Sequence, residues 1–136
     1  MKIYFAGSIR GGRDDREIYQ CIIKHLRHYG DILTEHVGDQ KLTNAGEPRP
    51  SRNIYEDDIR WLQQADIVVA EVSTPSLGVG YEVAKAESMG KKILCLYRPE
   101  DGKYLSAMVA GNPNVSIGEY RSPEEAKKVI DDFLEQ

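Results

Sequence analysis

The feature that most constrains the fold of this chain is a regular alternation of short apolar segments with segments of helical periodicity. Strand-like segments are predicted at Lys2–Ala6, Asp31–Thr34, Ile67–Val72, Lys92–Tyr97 and Val115–Tyr120. Helix-like segments are predicted at Arg13–Tyr29, Ser51–Gln64, Gly80–Met89, Lys103–Val109 and Pro123–Leu134. Because each strand is followed by a helix, the strands should pair in parallel, with helices on both faces of the sheet.

The length of 136 residues is typical of one domain. We therefore expect a single α/β domain over residues 1–136, with a doubly wound, five-stranded parallel sheet flanked by helices, of the Rossmann or flavodoxin-like type. The first helix shows its core side in the spacing of Ile18, Cys21, Ile22 and Leu26. The last helix should begin at Ser122, because Pro123 and Glu125 complete a capping-box pattern.

Composition excludes several classes of function. The formal net charge of −4 argues against a surface that binds a nucleic-acid polymer. No apolar run approaches the ~20 residues that span a bilayer, and Met1 leads directly into a strand without a signal peptide. These features predict a cytosolic or nuclear protein without a membrane partner. The two cysteines, Cys21 and Cys95, are expected to be reduced core residues.

The turn after the first strand has the chemistry of a phosphate cradle. Gly7, Gly11 and Gly12 would let backbone N–H groups approach an anion closely, while Ser8 and Arg10 add a hydroxyl and a guanidinium. The turn matches neither the Walker A motif nor the Gly-x-Gly-x-x-Gly pattern, so ATP hydrolysis and dinucleotide binding are disfavoured, and no cofactor is predicted. The alternative is an ordinary βα turn in which Arg10 is solvated.

A second glycine-bearing turn follows the third strand and delivers an acid. In Thr74-Pro75-Ser76-Leu77-Gly78-Val79-Gly80-Tyr81-Glu82, the carboxyl group comes soon after a buried strand, where open α/β sheets bind ligands. If the first and third strands are neighbours, Ser76 and Gly78 lie beside the first turn. The alternative is that Glu82 only complements the dipole of its own helix.

Two further side chains are candidates for the same site. Asp58 shares a helix face with Ile54 and Leu62, so it should point inward, either toward a functional partner or into an ion pair with a basic residue. Tyr4 in the first strand is either a packed aromatic or the group that orients Glu82 through a hydrogen bond. The histidines lack ligand spacing, so no metal site is predicted.

Several blocks of the chain, in order, resemble the 2′-deoxynucleoside 5′-phosphate N-hydrolases, which belong with the nucleoside 2-deoxyribosyltransferases. The blocks are Tyr4-Phe5-Ala6-Gly7-Ser8-Ile9-Arg10-Gly11-Gly12, Leu33-Thr34-Glu35-His36, Trp61-Leu62-Gln63-Gln64-Ala65-Asp66 and Pro75-Ser76-Leu77-Gly78-Val79-Gly80-Tyr81-Glu82. The resemblance covers nearly the whole chain. It implies that Glu82 is the nucleophile, that Asp58 assists departure of the base and that Tyr4 orients the nucleophile.

The same resemblance implies a binding site for the 5′-phosphate. Its residues would be Gly7, Ser8, Ile9, Arg10, Gly11, Ser76 and Gly78, with Ser106 reaching the site of a neighbouring subunit in a homodimer. The implied reaction is hydrolysis of a deoxynucleoside monophosphate to base and 2-deoxyribose 5-phosphate through a glutamyl ester. Two alternatives stay open, a deoxyribosyltransferase and a nucleotide-binding module without turnover. The loop from Gly38 to Pro50 departs most from the family and leaves the preferred base undetermined.

Overall fold

The computed structural model describes residues 1–8, 13–34 and 49–136. The strands are β1 (Lys2–Ala6), β2 (Asp31–Ile32), β3 (Ile67–Glu71), β4 (Lys92–Tyr97) and β5 (Ser116–Glu119). The helices are α1 (Arg13–Leu26), α2 (Ser51–Gln64), α3 (Leu77–Ser88), α4 (Ala107–Ala110) and α5 (Pro123–Leu134). Most of the predicted polar loop from His36 to Ser51 lies outside the described residues.

The five strands form one parallel sheet in the order β2-β1-β3-β4-β5. In the central pair, Tyr4 lies opposite Val68 and Ala6 lies opposite Ala70. The strand order reverses at β1, so a crevice opens between the carboxyl ends of β1 and β3, which is where sheets of this kind bind ligands. This confirms the predicted doubly wound parallel sheet and sets the two glycine-bearing turns side by side.

Two apolar layers cover the sheet because successive strand residues point to opposite faces. Ile3 and Phe5 of β1 pack in the layer that contains α1 and α5. Tyr4 and Ala6 pack in the layer that contains α2 and α3. The candidate side chains Tyr4 and Glu82 therefore belong to the α2 and α3 side of the sheet.

The second strand is shorter than the sequence predicts, because a side chain replaces its last backbone pairing. Only Asp31 and Ile32 pair as strand residues, opposite Lys2 and Ile3 of β1. The hydroxyl of Thr34 then accepts a hydrogen bond from the Phe5 N–H at 2.8 Å and donates one to the Phe5 carbonyl at 2.5 Å. The sheet edge is thus completed without a regular strand.

Three helices also have bounds that differ from the predicted ones. The first helix ends at Leu26 and continues as turns to Tyr29, whereas α4 begins at Ala107 because the Ser106 side chain caps it. The third helix begins at Leu77, three residues before the predicted start, because Ser76 acts as its N-cap and accepts a hydrogen bond from the Val79 N–H. This earlier start places Glu82 in the second turn of α3, outside the first turn where an acid best complements the helix dipole.

The remaining local predictions have mixed outcomes. Ser122 caps α5 by accepting a hydrogen bond from the Glu125 N–H, as the capping-box pattern predicts. Cys95 is buried and reduced in β4, but the prediction of a core position for Cys21 is wrong. Cys21 is exposed because it lies at the edge of the α1 stripe, whose buried centre is formed by Ile22 and Leu26.

Candidate active site

A buried tyrosine and a glutamate meet at the crevice between β1 and β3. Tyr4 has only 1% of its surface exposed, because β1 turns it into the layer under α2 and α3. Its hydroxyl donates a hydrogen bond to Oε2 of Glu82 on α3, with a separation of 2.5 Å. The bond fixes one carboxylate oxygen and leaves Oε1 as the oxygen that can face a ligand.

The environment of Glu82 shifts its acidity toward neutrality. Burial penalises the charged carboxylate and raises the pKa of Glu82 to about 7, and the charge of Asp58 acts in the same direction. The hydrogen bond from Tyr4 opposes this shift, since it stabilises the charged form. A carboxyl group with such a pKa at a ligand crevice is a candidate for covalent or acid–base chemistry.

Asp58 lies on α2, half-buried on the face that also carries the fully buried Leu62. Its charge is close enough to raise the pKa of both Glu82 and Tyr4. The neighbouring Asp57 forms surface ion pairs with Arg49 at 2.6 Å and with Arg60 at 2.8 Å. Asp58 is therefore a second acid whose charge acts on Glu82.

The two glycine-bearing turns line one cavity of about 450 Å³. Its described lining residues are Gly7, Ser8, Pro75, Ser76, Leu77, Gly78, Val79 and Glu82. Five of the predicted site residues are in this set, whereas Ile9, Arg10 and Gly11 lie outside the described residues. One serine from each turn and the residue Glu82 therefore line the same space, which suits a ligand that carries an anion at one end.

The start of α3 supplies free donors to this cavity. The Ser76 hydroxyl accepts a hydrogen bond from the Val79 N–H, and among the described residues it has no acceptor for its own proton. The N–H groups of Leu77 and Gly78 belong to the first turn of α3, where a helix has no internal partner for them. A Cβ atom at Gly78 would lie 3.8 Å from both Glu82 Oε1 and Ser76 Oγ, so glycine leaves room between these two groups.

The turn after β1 is held by the side chain of Tyr19 on α1. The Ser8 N–H donates to the hydroxyl of Tyr19 on α1 at 3.0 Å, so the Ser8 hydroxyl is its remaining donor. A Cβ atom at Gly7 would come within 2.9 Å of the Tyr19 ring. Glycine at this position is therefore required for the close approach of the turn to α1.

Ser106 does not share the cavity of Glu82. It is exposed at the start of α4 and lines a second cavity of about 520 Å³. Around that cavity stand three large apolar side chains that are almost fully exposed, Leu77 at 96%, Tyr104 at 91% and Met108 at 84%. Leu77 lines both cavities, so the two spaces adjoin at the start of α3.

Sequence reasoning did not single out a polar network on the opposite side of the sheet. Glu71, only 1% exposed, accepts hydrogen bonds from the backbone N–H and hydroxyl of Ser73 and from the hydroxyl of Tyr120. Burial raises the pKa of Glu71. An acid at the end of the apolar run Ile67-Val68-Val69-Ala70 was the available signal, since a buried charge requires partners.

Within the residues that the structure describes, no three or more His, Cys, Asp or Glu side chains group in a way that could hold a metal ion. None of the helices in those parts of the chain has the length and apolar character needed to cross a bilayer.

The sequence over residues 3–128 matches the family model described as nucleoside 2-deoxyribosyltransferase. The chain belongs to this family. Among its relatives, the 5-hydroxymethyl-dUMP N-hydrolase of Danio rerio is 47% identical over 139 residues, covering 99% of this chain and 96% of the relative. The enzyme of the same name from Homo sapiens is 48% identical over 138 residues, covering 98% and 79% respectively.

The fold of this nucleoside 2-deoxyribosyltransferase family member also recurs in solved structures. The CMP N-glycosidase of Clostridium botulinum superposes with a TM-score of 0.71, covering 98% of this chain and 99% of that one, at 19% identity. At this identity the similarity establishes the shared architecture. The family model over residues 3–128 and the relatives at 47% and 48% identity confirm the family resemblance predicted from the sequence blocks.

Proposed function

We propose that the protein hydrolyses the N-glycosidic bond of 2′-deoxynucleoside 5′-monophosphates, releasing a free base and 2-deoxyribose 5-phosphate. Hydrolysis of a nucleotide N-glycosidic bond is the activity named in its relatives at 47% and 48% identity. The observation that supports this assignment most strongly is the single cavity that Glu82, Ser8 and Ser76 line together. It brings a carboxylate that can react and residues that can donate to an anion into one space.

The reaction proceeds as a double displacement. Glu82 Oε1 attacks C1′ of the deoxyribose, and the bond between C1′ and the base nitrogen breaks with its electron pair leaving on the base. Asp58 supplies the proton that the departing base takes up, and a sugar ester forms on Glu82. Water then adds to C1′, the ester oxygen leaves as the Glu82 carboxylate, and Asp58 accepts the proton of the water, as in retaining glycosidases.

The acidity of Glu82 suits a nucleophile that must be regenerated. Burial raises the pKa of Glu82 to about 7, so this carboxyl group holds a proton more readily near neutral pH than an exposed glutamate does. The carboxylate is thus only weakly stabilised in the free enzyme, and it gains stabilisation by facing the positive charge that develops at C1′. Tyr4 holds the other oxygen, so the attacking one keeps its direction.

The 5′-phosphate lies between the turns after β1 and β3 in this proposal. Ser8 and Ser76 donate through their hydroxyls, and the free N–H groups at the start of α3 face the phosphate oxygens. Ile9, Arg10 and Gly11 complete the cradle in the family pattern. A substrate without the phosphate loses all of these contacts, so we expect a strong preference for the monophosphate over the nucleoside.

We further propose that the active unit is a homodimer in which Ser106 of one subunit contacts the phosphate in the other. Ser106 is exposed beside the large apolar side chains of Leu77, Tyr104 and Met108. Apolar groups of this size, nearly fully exposed and clustered, are typical of an interface. Because their cavity adjoins that of Glu82 at Leu77, a second copy seated there would bring its own Ser106 close to the phosphate site.

The test is release of base from a panel of deoxyribo- and ribonucleoside monophosphates and nucleosides, followed by chromatography, with the wild-type chain and Glu82→Ala. We expect base and 2-deoxyribose 5-phosphate from wild type with deoxynucleotides, and a loss of at least about a thousandfold in Glu82→Ala. Equal turnover of a nucleoside and its monophosphate would refute the phosphate assignment. Near-normal turnover by Glu82→Ala would refute the nucleophile.

The same assay separates the two rival functions. A deoxyribosyltransferase would pass the sugar to an added acceptor base and form a new nucleotide at the expense of 2-deoxyribose 5-phosphate. A binding module would retain a deoxynucleotide without releasing base, even at high protein concentration. Formation of free sugar phosphate in the presence of excess acceptor base supports the hydrolase.

A further inference from the structure

Both turns that form the proposed phosphate cavity are tied to one face of α1. Tyr19 holds the first turn through the Ser8 N–H at 3.0 Å. Asp15 holds the second turn by accepting a hydrogen bond from the Thr74 hydroxyl at 2.6 Å. Asp15 and Tyr19 are four residues apart, which places them on the same side of the helix. The spacing between the two sides of the cavity is therefore set by α1.

The tether at Asp15 is buried and uses both carboxylate oxygens. Asp15 is 6% exposed; its Oδ2 accepts from Thr74, and its Oδ1 accepts from Arg98 Nη2 at 2.7 Å. Arg98 follows β4, so the carboxylate joins α1, the turn after β3 and the end of β4. The guanidinium also neutralises an acid that would otherwise repel an anion bound nearby.

A second set of bonds fixes the turn immediately before Thr74. The Ser73 hydroxyl accepts a hydrogen bond from the backbone N–H of Arg98 at 2.8 Å and donates one to Glu71 Oε2 at 2.9 Å. Ser73 and Thr74 thus each bind a different part of the framework, while the next residues, Pro75 and Ser76, enter the cavity. Because Ser73 and Thr74 are fixed, the direction of the chain after them determines the position of the Ser76 hydroxyl and of the start of α3.

We propose that Asp15 and Thr74, supported by Arg98, are positioning residues that hold the turn after β3 against α1, so that Ser76 and Gly78 face Ser8 at the spacing a phosphate requires. The inference rests on the proposed function, since it assigns a phosphate to this cavity. None of the three side chains lines the cavity of Glu82, so each acts through the turn that it holds.

The experiment compares Thr74→Val, which removes the hydroxyl but keeps the shape, with Thr74→Ser, which keeps the hydroxyl. For each, the dissociation constant of 2-deoxyribose 5-phosphate is measured by calorimetry, together with hydrogen exchange of the amides over residues 75–80 and the separate values of kcat and KM for a deoxynucleoside monophosphate. Ser122→Ala, at the cap of the distant α5, serves as the control for a general loss of stability.

We expect Thr74→Val to weaken binding of 2-deoxyribose 5-phosphate on the order of tenfold to a hundredfold, as for loss of a hydrogen bond to a charged group. Amide exchange over residues 75–80 should accelerate, and KM should rise more than kcat falls. Thr74→Ser should restore all three values, and Ser122→Ala should change none of them.

Unchanged binding and exchange in Thr74→Val would overturn the proposal, as would equal losses in Thr74→Val and Thr74→Ser. If the wild-type chain binds no 2-deoxyribose 5-phosphate, the phosphate site of the proposed function is wrong. In that case the phosphate-spacing role falls with it, and the exchange measurement still decides whether the tether holds the turn.

Discussion

At the scale of single residues, two acids that follow the same apolar run have opposite surroundings. Glu71 ends β3 on the side of α1 and α5, where Ser73 and Tyr120 occupy both of its oxygens and burial is nearly complete. Glu82 lies on the other side, bonded through Oε2 to Tyr4 and open to a cavity. Glu82 is therefore the acid that can reach a substrate, whereas Glu71 stabilises the fold through its hydrogen bonds with Ser73 and Tyr120.

The hydroxyl of Tyr4 should control the pH dependence of the reaction. Its hydrogen bond stabilises the charged form of Glu82, so Tyr4→Phe raises the pKa of Glu82 further above its present value of about 7. Since attack requires the carboxylate, the acidic limb of kcat/KM should move to higher pH, with a loss of about tenfold or more at pH 7.

The measurement is a full pH profile of kcat/KM for both proteins. Tyr29→Phe is the matched control, because Tyr29 bonds to Asp131 and Glu135 between α1 and α5, away from the cavity. An acidic limb that stays in place in Tyr4→Phe would show that this hydroxyl does not tune Glu82.

Adding a side chain at Gly78 should impair substrate binding and turnover more than it affects folding. A methyl group there meets only ordinary contacts, 3.8 Å from Glu82 Oε1 and Ser76 Oγ, so Gly78→Ala should fold and gain roughly 0.5–1 kcal/mol in helix stability. It would stand between the carboxylate and the phosphate donors, where the sugar must lie. We expect kcat/KM to fall about a hundredfold, as for a small misplacement of substrate.

Steady-state kinetics and denaturant unfolding test this expectation. Gly80→Ala lies in the same helix with no atom within 4 Å of the added carbon, so it provides the control for the helix effect alone. Full activity in Gly78→Ala would show that the sugar does not bind in this part of the cavity.

At the scale of elements, the ends of strands and helices are set by side chains that replace backbone partners. Ser76 and Ser106 start α3 and α4, and Thr34 completes the sheet where β2 stops. The start of α3 has a direct consequence for the site. The first N–H groups of α3, which have no partner within the helix, belong to Leu77 and Gly78, and both residues line the cavity that contains Glu82.

Thr34→Val tests whether this hydroxyl replaces the missing part of β2. The change leaves the buried N–H and carbonyl of Phe5 without their partner, so the free energy of unfolding should fall by about 2–4 kcal/mol. Denaturant unfolding measures the loss, and Ser122→Ala, which removes only an exposed cap, should cost about 1 kcal/mol. A loss in Thr34→Val no larger than that of Ser122→Ala would contradict this role.

The sequence was sufficient to predict every element, because βα alternation places the carboxyl ends of all parallel strands at one edge of the sheet. The meeting of the two turns also required β1 and β3 to be neighbours, which the pattern left open and the strand order shows. The sequence was insufficient for the tether at Asp15, since Thr74 and Arg98 are distant in the chain and their contact depends on the rotation of α1. The predicted end of β2 was wrong because the sequence pattern does not show that Thr34 bonds to Phe5 through its hydroxyl and not through its backbone. The catalytic roles of Glu82, Asp58 and Tyr4 and the cytosolic or nuclear location stay predictions.

At the scale of the whole molecule, the exposed apolar group around Ser106 links assembly to activity. If each phosphate site uses Ser106 of the other subunit, then Glu82→Ala and Ser106→Ala chains have complementary defects. A mixed dimer contains one site with both residues intact. An equal mixture after subunit exchange should therefore regain about a quarter of wild-type activity, although each variant alone is impaired.

To test this, the two purified variants are mixed and incubated, and base release is then assayed. Sedimentation of each variant gives its oligomeric state and is the control for assembly. Activity of the mixture equal to the mean of the two separate variants would show that each site is complete within one chain.

The measurement that tests the central claim most directly is mass spectrometry of the peptide containing Glu82, after acid quench of a single turnover with a deoxynucleoside monophosphate. We expect wild-type enzyme to carry one deoxyribose phosphate group on Glu82 while free base is already released, and Glu82→Gln to carry none. Release of base at the wild-type rate with no adduct on Glu82, or the same rate in Glu82→Gln, would contradict covalent catalysis by this residue.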